Sequence, residues 1–213
     1  TASRPIPEGR IEPETVLLMG GALSAAGLVY LAIQVNLLTT VIGAVTLVSY
    51  IAVYTPLKQV TPLNTVVGAV PGALPPLMGW TAAGGQITEK GLALVAILYL
   101  WQLPHFFAIA WIYRDQYAKT GFVMLSLDDE SGKRTSQQAV IYAITLIPFS
   151  VLPYVFGMTG IIYFIGAIIL SGLYLAYSVY FFRVLTVSSA RKLFIYSIIY
   201  LPLLLGLMLF DGE

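Results

Sequence analysis

Apolar runs free of Asp, Glu, Lys and Arg alternate with polar connectors along the chain: residues 15–35, 37–57, 65–85, 91–113, 138–159, 160–182 and 193–210. Each run is 18 to 23 residues long, and at about 1.5 Å per helical residue that crosses a hydrocarbon core of roughly 30 Å. The runs are continuous, whereas strands of a membrane β-barrel read as alternating segments of about ten residues. The pattern predicts an all-α polytopic membrane protein with seven transmembrane helices in a single domain, residues 1–213. Asn36 alone joins the first two spans, and Met158-Thr159-Gly160 joins the fifth and sixth. Connectors this short force antiparallel hairpins.

Composition agrees, and charge adds an orientation. Charged residues make up 10% of the chain, against about 25% in soluble domains, and every one lies in a connector or tail. With the N-terminus in the cytoplasm, Arg4, Arg10, Lys58, Arg114, Lys119, Lys133, Arg134, Arg183, Arg191 and Lys192 share the cytoplasmic side, and Lys90 alone lies opposite. This positive-inside bias predicts that the N-terminal tail and loop 114–137 face the cytoplasm. A net charge of +1 points to no nucleic-acid partner, and the absence of cysteine excludes disulfides and thiolate metal sites.

The third span is irregular. Between Val66 and Trp80 it carries Pro71, Pro75 and Pro76 together with Gly68, Gly72 and Gly79. Proline removes a backbone donor and clashes with the preceding turn, so this helix is expected to kink or break. Carbonyls freed in a bilayer must be met by neighbouring side chains or a water-lined cavity, and Gly68 with Gly72 lets another helix approach closely. Milder kinks are expected at Pro104, Pro148, Pro153 and Pro202.

Polar residues able to carry chemistry gather toward one face. His105, the only histidine, sits inside the fourth span, where the cost of desolvation makes an ionisable group a functional candidate. Gln102, three residues earlier, shares its helix face, so the two are placed to line one polar pocket. Tyr113, Asp115 and Tyr117 follow near the water interface with Arg114 and Lys119; an anchor of aromatics and snorkelling cations explains that group equally well. Arg4, Arg10, Tyr54, Thr55, Lys58 and Asn64 fall on the same side. Cations and amides above a broken helix suit a phosphate-bearing group with an apolar tail. Asp128-Asp129-Glu130 reads as a solvated loop tip rather than a divalent-ion site.

Several strings carry a resemblance: Arg4-Pro5 with Gly9; Tyr54-Thr55-Pro56-Leu57-Lys58; Asn64 onward through Pro75-Pro76-Leu77-Met78-Gly79-Trp80; Trp101-Gln102-Leu103-Pro104-His105-Phe106; Asp115-Gln116-Tyr117 with Gly121 and Met124; and Ala190-Arg191-Lys192-Leu193-Phe194. Together they resemble the protoheme IX farnesyltransferase (heme O synthase) family of UbiA-type intramembrane prenyltransferases. The resemblance spans essentially the whole chain and implies a nine-helix fold around a lipid-open cavity, the seven spans standing for helices three to nine. It also implies an acidic motif upstream of Thr1. The activity implied is transfer of the farnesyl group of farnesyl diphosphate to a vinyl group of heme b, giving heme O. Mg²⁺ is the cofactor the family leads one to expect, because the departing diphosphate must be neutralised.

On this resemblance His105, Asp115, Tyr113 and Tyr117 are the candidate catalytic residues, and Arg4, Lys58, Asn64, Arg114 and Gln102 the candidate substrate-binding residues. Aligned on Gly121, the second acidic motif of related enzymes has Tyr113 and Tyr117 at its aspartate positions, which leaves Asp115 between them as the expected Mg²⁺ ligand. Arg4, Lys58 and Arg114 are assigned to the diphosphate, and His105 to the heme side, as iron ligand or base. The bacterial plasma membrane is the expected location, with the mitochondrial inner membrane also compatible. Heme A synthase or oxidase assembly proteins are expected partners. The competing enzyme reading is a UbiA-type transferase acting on an aromatic acid or quinone precursor. A retinal protein needs a lysine within a span, and none is present; a transporter would show paired broken helices in repeated halves, and only one span reads as broken.

Overall fold

The computed structural model describes residues 5–119 and 121–212. Its helices are α1 (Pro13–Gln34), α2 (Leu37–Val48), α3 (Thr55–Leu57), α4 (Asn64–Ala73), α5 (Pro75–Gly84), α6 (Glu89–Ile112), α7 (Arg114–Ala118), α8 (Lys133–Ser150), α9 (Leu152–Val155), α10 (Ile161–Val184) and α11 (Val187–Phe210). Seven segments are long and apolar enough to cross a membrane: Pro13–Gln34, Leu37–Leu57, Asn64–Gly84, Glu89–Ile112, Lys133–Val155, Ile161–Val184 and Val187–Phe210. The protein is an integral membrane protein, and the seven predicted spans hold. Five begin earlier than their charge-free cores, α8 and α11 by the most. α8 takes in Lys133 and Arg134, and α11 takes in Arg191 and Lys192, because a long basic side chain at a helix end reaches water without the backbone leaving the helix.

Side-chain caps start the rods. Asn36 accepts from the Thr39 amide at 2.8 Å and donates to the Thr81 carbonyl at 2.8 Å, pinning the α1–α2 hairpin to the end of the third span. Thr186 and Ser189 cap α11 reciprocally. Asp211 caps α10 from the far end of the chain, accepting from the Tyr163 amide at 2.7 Å. The third span is broken as expected: α4 ends at Ala73 and α5 starts at Pro75, since Pro75 and Pro76 offer no amide to the carbonyls one turn back.

The second span departs from the continuous helix expected of it. Between α2 and α3, Ser49–Tyr54 forms a π-turn, and both the amide and the hydroxyl of Thr55 reach back five residues to the Tyr50 carbonyl. Pro56 lacks the donor a regular turn would aim at Ala52, and the chain widens before it.

Packing divides the molecule. α6, α8, α10 and α11 form a closed bundle around Leu103, Phe107, Leu146, Tyr163, Tyr174, Phe181, Leu193 and Tyr200, all fully or almost fully buried. α1, α2, α4 and α5 form a looser flank, and α1 buries no residue.

Candidate functional site

A cavity of about 820 Å³ opens between the loose flank and α6, within the roughly 300–1,000 Å³ usual for ligand pockets. Its walls are mostly apolar, from Gly43, Leu47, Gly68, Pro71, Met78, Phe106 and Ile109. Polar groups come from Thr46, Tyr50, Tyr54, Asn64, Thr65, Gln102 and Tyr117. The irregular backbone makes this shape. The π-turn presents both Tyr50 and Tyr54 to the cavity. The two glycines of α4 take side chains rather than a helix backbone: a Cβ on Gly68 would overlap the Tyr54 ring, and one on Gly72 would overlap Gln102 Oε1. Gln102 Nε2 donates to the Ala69 carbonyl at 2.7 Å, so α6 supplies a partner inside the membrane one turn before the helix break.

One end of the cavity is roofed by a loop. Asn64, buried, donates through Nδ2 to the carbonyls of Thr61 at 2.7 Å and Val123 at 2.5 Å, and the Val123 amide donates to the Lys58 carbonyl at 2.7 Å. These bonds hold residues 121–125 over the start of α4, and bring Met124 and Tyr117 into the wall. Burial, with Tyr113 nearby, pushes the Tyr117 phenol above its ordinary pKa, so it meets the cavity as a neutral hydroxyl. Lys58 extends its ammonium over the Tyr54 ring, 4.3 Å from the centroid, with Tyr50 at 5.6 Å. The two rings carry a cation to the cavity rim.

The predicted site residues therefore separate. Asn64, Gln102 and Tyr117 line the cavity, and Lys58 stands at its edge. Gln102 and His105 do not share a pocket. His105 turns toward α11, with Nδ1 2.6 Å from Ser197 Oγ and its ring between Trp101 and Phe194, at 5.3 and 5.0 Å. Three residues along a helix turn through about 60° of azimuth, enough to move from one wall of α6 to the next. Tyr113 and Tyr117 part because α6 ends at Ile112: Tyr113 lines a small pocket of about 190 Å³ with Ile109, Arg191 and Phe194. Arg114 lays its guanidinium over Trp111 at 4.4 Å and pairs with Asp115 at 3.6 Å. Arg4 lies outside the described residues.

Asp115 is 90% exposed, away from the cavity lining. Among the described residues no three His, Asp or Glu side chains come together. A single exposed carboxylate already paired with an arginine falls short of the oxygen set Mg²⁺ takes, so these residues do not fit the ion by themselves. The acidic loop also differs from the solvated tip expected. Asp128 and Glu130 are exposed, but Asp129 is buried, accepting from the Thr135 amide at 2.8 Å and from the Ser131 hydroxyl at 3.1 Å to start α8. Its role is a cap.

Tyr50 and Leu47 were not singled out from the sequence, and Met78 and Phe106 stood only within the strings that carry the resemblance, with no role assigned. The four-residue spacing of Tyr50 and Tyr54 is a visible signal; the apolar wall residues look like any others in a membrane span.

The class of this seven-span bundle, with its broken helix and the cavity open beside it, comes from the sequence comparisons: it is an intramembrane prenyltransferase. The chain belongs to the UbiA prenyltransferase family, which matches residues 1–201. It is 49% identical over 212 residues to a protein of Solibacter usitatus (strain Ellin6076) named protoheme IX farnesyltransferase, covering 99% of this chain and 72% of that protein. It is 41% identical to the mitochondrial protoheme IX farnesyltransferase of Arabidopsis thaliana, covering 98% of this chain and 49% of that protein. A solved structure from work on a digeranylgeranylglyceryl phosphate synthase in membranes superposes with a TM-score of 0.81 at 20% identity, over 97% of this chain and 73% of that one. That likeness concerns the fold.

Proposed function

We infer that the protein transfers a farnesyl group from farnesyl diphosphate to the vinyl group of protoheme IX, forming heme O. The observation carrying this reading is the 49% identity, over 99% of the chain, to a protein named for that reaction. The cavity supports it: mostly apolar walls suit an isoprenoid chain, and Asn64, Thr65 and Tyr117 bring polar groups to the end roofed by residues 121–125.

Within that reading, the prenyl tail lies along Leu47, Met78 and Phe106, and the diphosphate meets Lys58 at the rim, with Arg4 and Arg114 as further cations. Asn64 holds the roof, Tyr117 offers a hydroxyl near it, and Gln102, bonded to the Ala69 carbonyl, offers a polar contact deeper in the cavity. Ionisation of the allylic carbon is favoured where positive charge faces the leaving group and water is excluded. α6 is the wall between two sites: Gln102, Phe106 and Ile109 face the cavity, while His105 lies toward α11 beside the small pocket holding Arg191. His105 is the heme-side residue of this proposal, and Arg191 offers a cation to a porphyrin carboxylate. A bacterial plasma membrane, with Lys58 and loop 114–137 on the cytoplasmic face, and docking to heme A synthase or oxidase assembly proteins complete the proposal.

The test is a product assay in liposomes offering farnesyl diphosphate with heme b or with an aromatic acid. Mass spectrometry is expected to find heme carrying a hydroxyethylfarnesyl group. A prenylated aromatic acid with unchanged heme would establish the competing UbiA-type reading.

A further inference from the structure

His105 is the only histidine in the chain, and the hydrogen bonds around Ser197 determine which of its nitrogens carries the proton. Ser197 Oγ lies 2.6 Å from the Phe194 carbonyl oxygen and 2.6 Å from His105 Nδ1. A hydroxyl has one proton to give and two lone pairs to receive with, whereas a carbonyl only accepts. Two oxygens at this separation need a proton between them, so the Ser197 proton goes to Phe194. Tyr174 cannot supply another, because its hydroxyl donates to the Trp101 carbonyl at 2.8 Å. The proton in the His105–Ser197 contact must then come from Nδ1.

We propose that Ser197 is a positioning residue that fixes His105 as the neutral tautomer protonated on Nδ1, leaving Nε2 with a free in-plane lone pair to take up a proton or bind a Lewis-acidic centre. The same residue also sets the ring's orientation. The Ser197 carbonyl accepts from Trp101 Nε1 at 2.8 Å. Trp101 lies one turn before His105 on α6 and stacks on it, and Phe194 borders the ring from α11. One turn of α11 thus fixes the ring through both atoms of Ser197 that can accept. Nε2 has no protein partner among the described residues. The partner on one imidazole nitrogen decides what the other can do. The tautomer stands on geometry alone; its consequence for turnover rests on the reading of His105 as the heme-side residue.

A single histidine makes the tautomer directly measurable. Protein labelled with ¹⁵N-histidine and reconstituted in lipid nanodiscs is expected to show a protonated, pyrrole-type Nδ1 and a pyridine-type Nε2 at neutral pH. Ser197→Ala is expected to shift the signals toward the Nε2-protonated form, and Ser197→Thr, which keeps the hydroxyl, to restore them. Protonated Nε2 in the wild-type protein overturns the proposal whether or not the variants fold, and so does an unchanged spectrum in folded Ser197→Ala. Farnesyl transfer to heme is expected to fall about tenfold to a hundredfold in Ser197→Ala, with Ser197→Thr near wild type. A shifted tautomer with unchanged transfer supports the assignment and removes His105 from the heme side.

Discussion

The two halves of the molecule meet the same demand in opposite ways. Both must satisfy every backbone and side-chain polar group within a solvent that offers no hydrogen bonds. The bundle of α6, α8, α10 and α11 does so by closing. Ser150, Ser171, Tyr163 and Tyr200 bond one another across three helices, with Ser171 Oγ 3.0 Å from both Ser150 Oγ and Tyr200 Oη, and Tyr163 Oη 2.8 Å from the Ser150 carbonyl. Small hydroxylated residues let the helices approach, and aromatic rings fill what remains. The flank of α1 to α5 does so by opening. Its second span widens into a π-turn and its third breaks at Leu74, and Gln102 of α6 adds a side-chain donor to the Ala69 carbonyl of α4. In the bundle the interruption between α8 and α9 falls near a span end and the core closes; in the flank the interruptions fall in the walls of the cavity and leave room for a substrate. The scaffold and the chamber are thus separable, and substitutions should sort into those that cost stability and those that cost activity.

The largest effect is expected in the bundle. Tyr200 is fully buried, stacks on Tyr174 at 5.2 Å and bonds Ser171. Tyr200→Ala removes the ring and takes away one of the two hydroxyl partners of Ser171, at a cost of about 3–5 kcal/mol, most of it from the cavity. Thermal unfolding in detergent would measure it, and a melting temperature within a degree or two of wild type would show that the core is less closely packed than it looks. Next comes the chamber. Leu47→Trp pushes an indole into the cavity from a wall that needs no repacking, so prenyl transfer should fall by more than about a hundredfold, roughly 2.7 kcal/mol, with the melting temperature nearly unmoved. Loss of both together would mean that the chamber wall also bears on the fold.

Asn64→Ala is expected to fall between these classes. It removes two N–H donors that hold Thr61 and Val123, and leaves the Val123 carbonyl unmet at the cavity roof, while the Thr61 carbonyl keeps the backbone amide of residue 64 at 3.2 Å. The expected cost is about 1–3 kcal/mol, with proteolysis in the 119–132 loop accelerated ahead of any change in the bundle. Limited digestion followed by mass spectrometry would read this. Equal acceleration of cleavage in α10 or α11 would place Asn64 with the scaffold.

The same division explains how much could be read from the sequence. Seven charge-free runs give seven spans, because the bilayer imposes length and apolarity on each helix regardless of tertiary detail. The break near Leu74 was legible from Pro75 and Pro76. The π-turn was not, although Pro56 hints at it, because a widened turn leaves no mark on hydropathy. At the site, Asn64, Gln102 and Tyr117 line one cavity with Lys58 at its edge, whereas Gln102 and His105, paired by their three-residue spacing, face different walls of α6, and Tyr113 and Asp115, assigned from the resemblance, lie off the cavity lining. Residues three apart on a helix can belong to two walls, as Gln102 and His105 do, and beyond the end of α6 at Ile112 Asp115 turns to the surface. Ser197 is one of many hydroxyls in apolar spans, and only its distances to Phe194 and His105 single it out.

Lys58 provides the smallest effect and the sharpest division between the halves. Its ammonium lies over two tyrosine rings that line the cavity, and it belongs to none of the bundle's hydrogen bonds. In the resting protein the rings stabilise the cation by about 0.5–1 kcal/mol, typical of a partly exposed site. A diphosphate offers it more, since charge-assisted hydrogen bonds are worth roughly twice neutral ones. Lys58→Met keeps the apolar stem against Tyr54 and removes only the charge, so KM for farnesyl diphosphate should rise about tenfold, near 1.4 kcal/mol, with KM for heme and the melting temperature unchanged. Lys58→Arg should recover most of that loss. If KM for heme rose instead, the cation would belong to the acceptor's side of α6, and the two substrates would have to exchange walls.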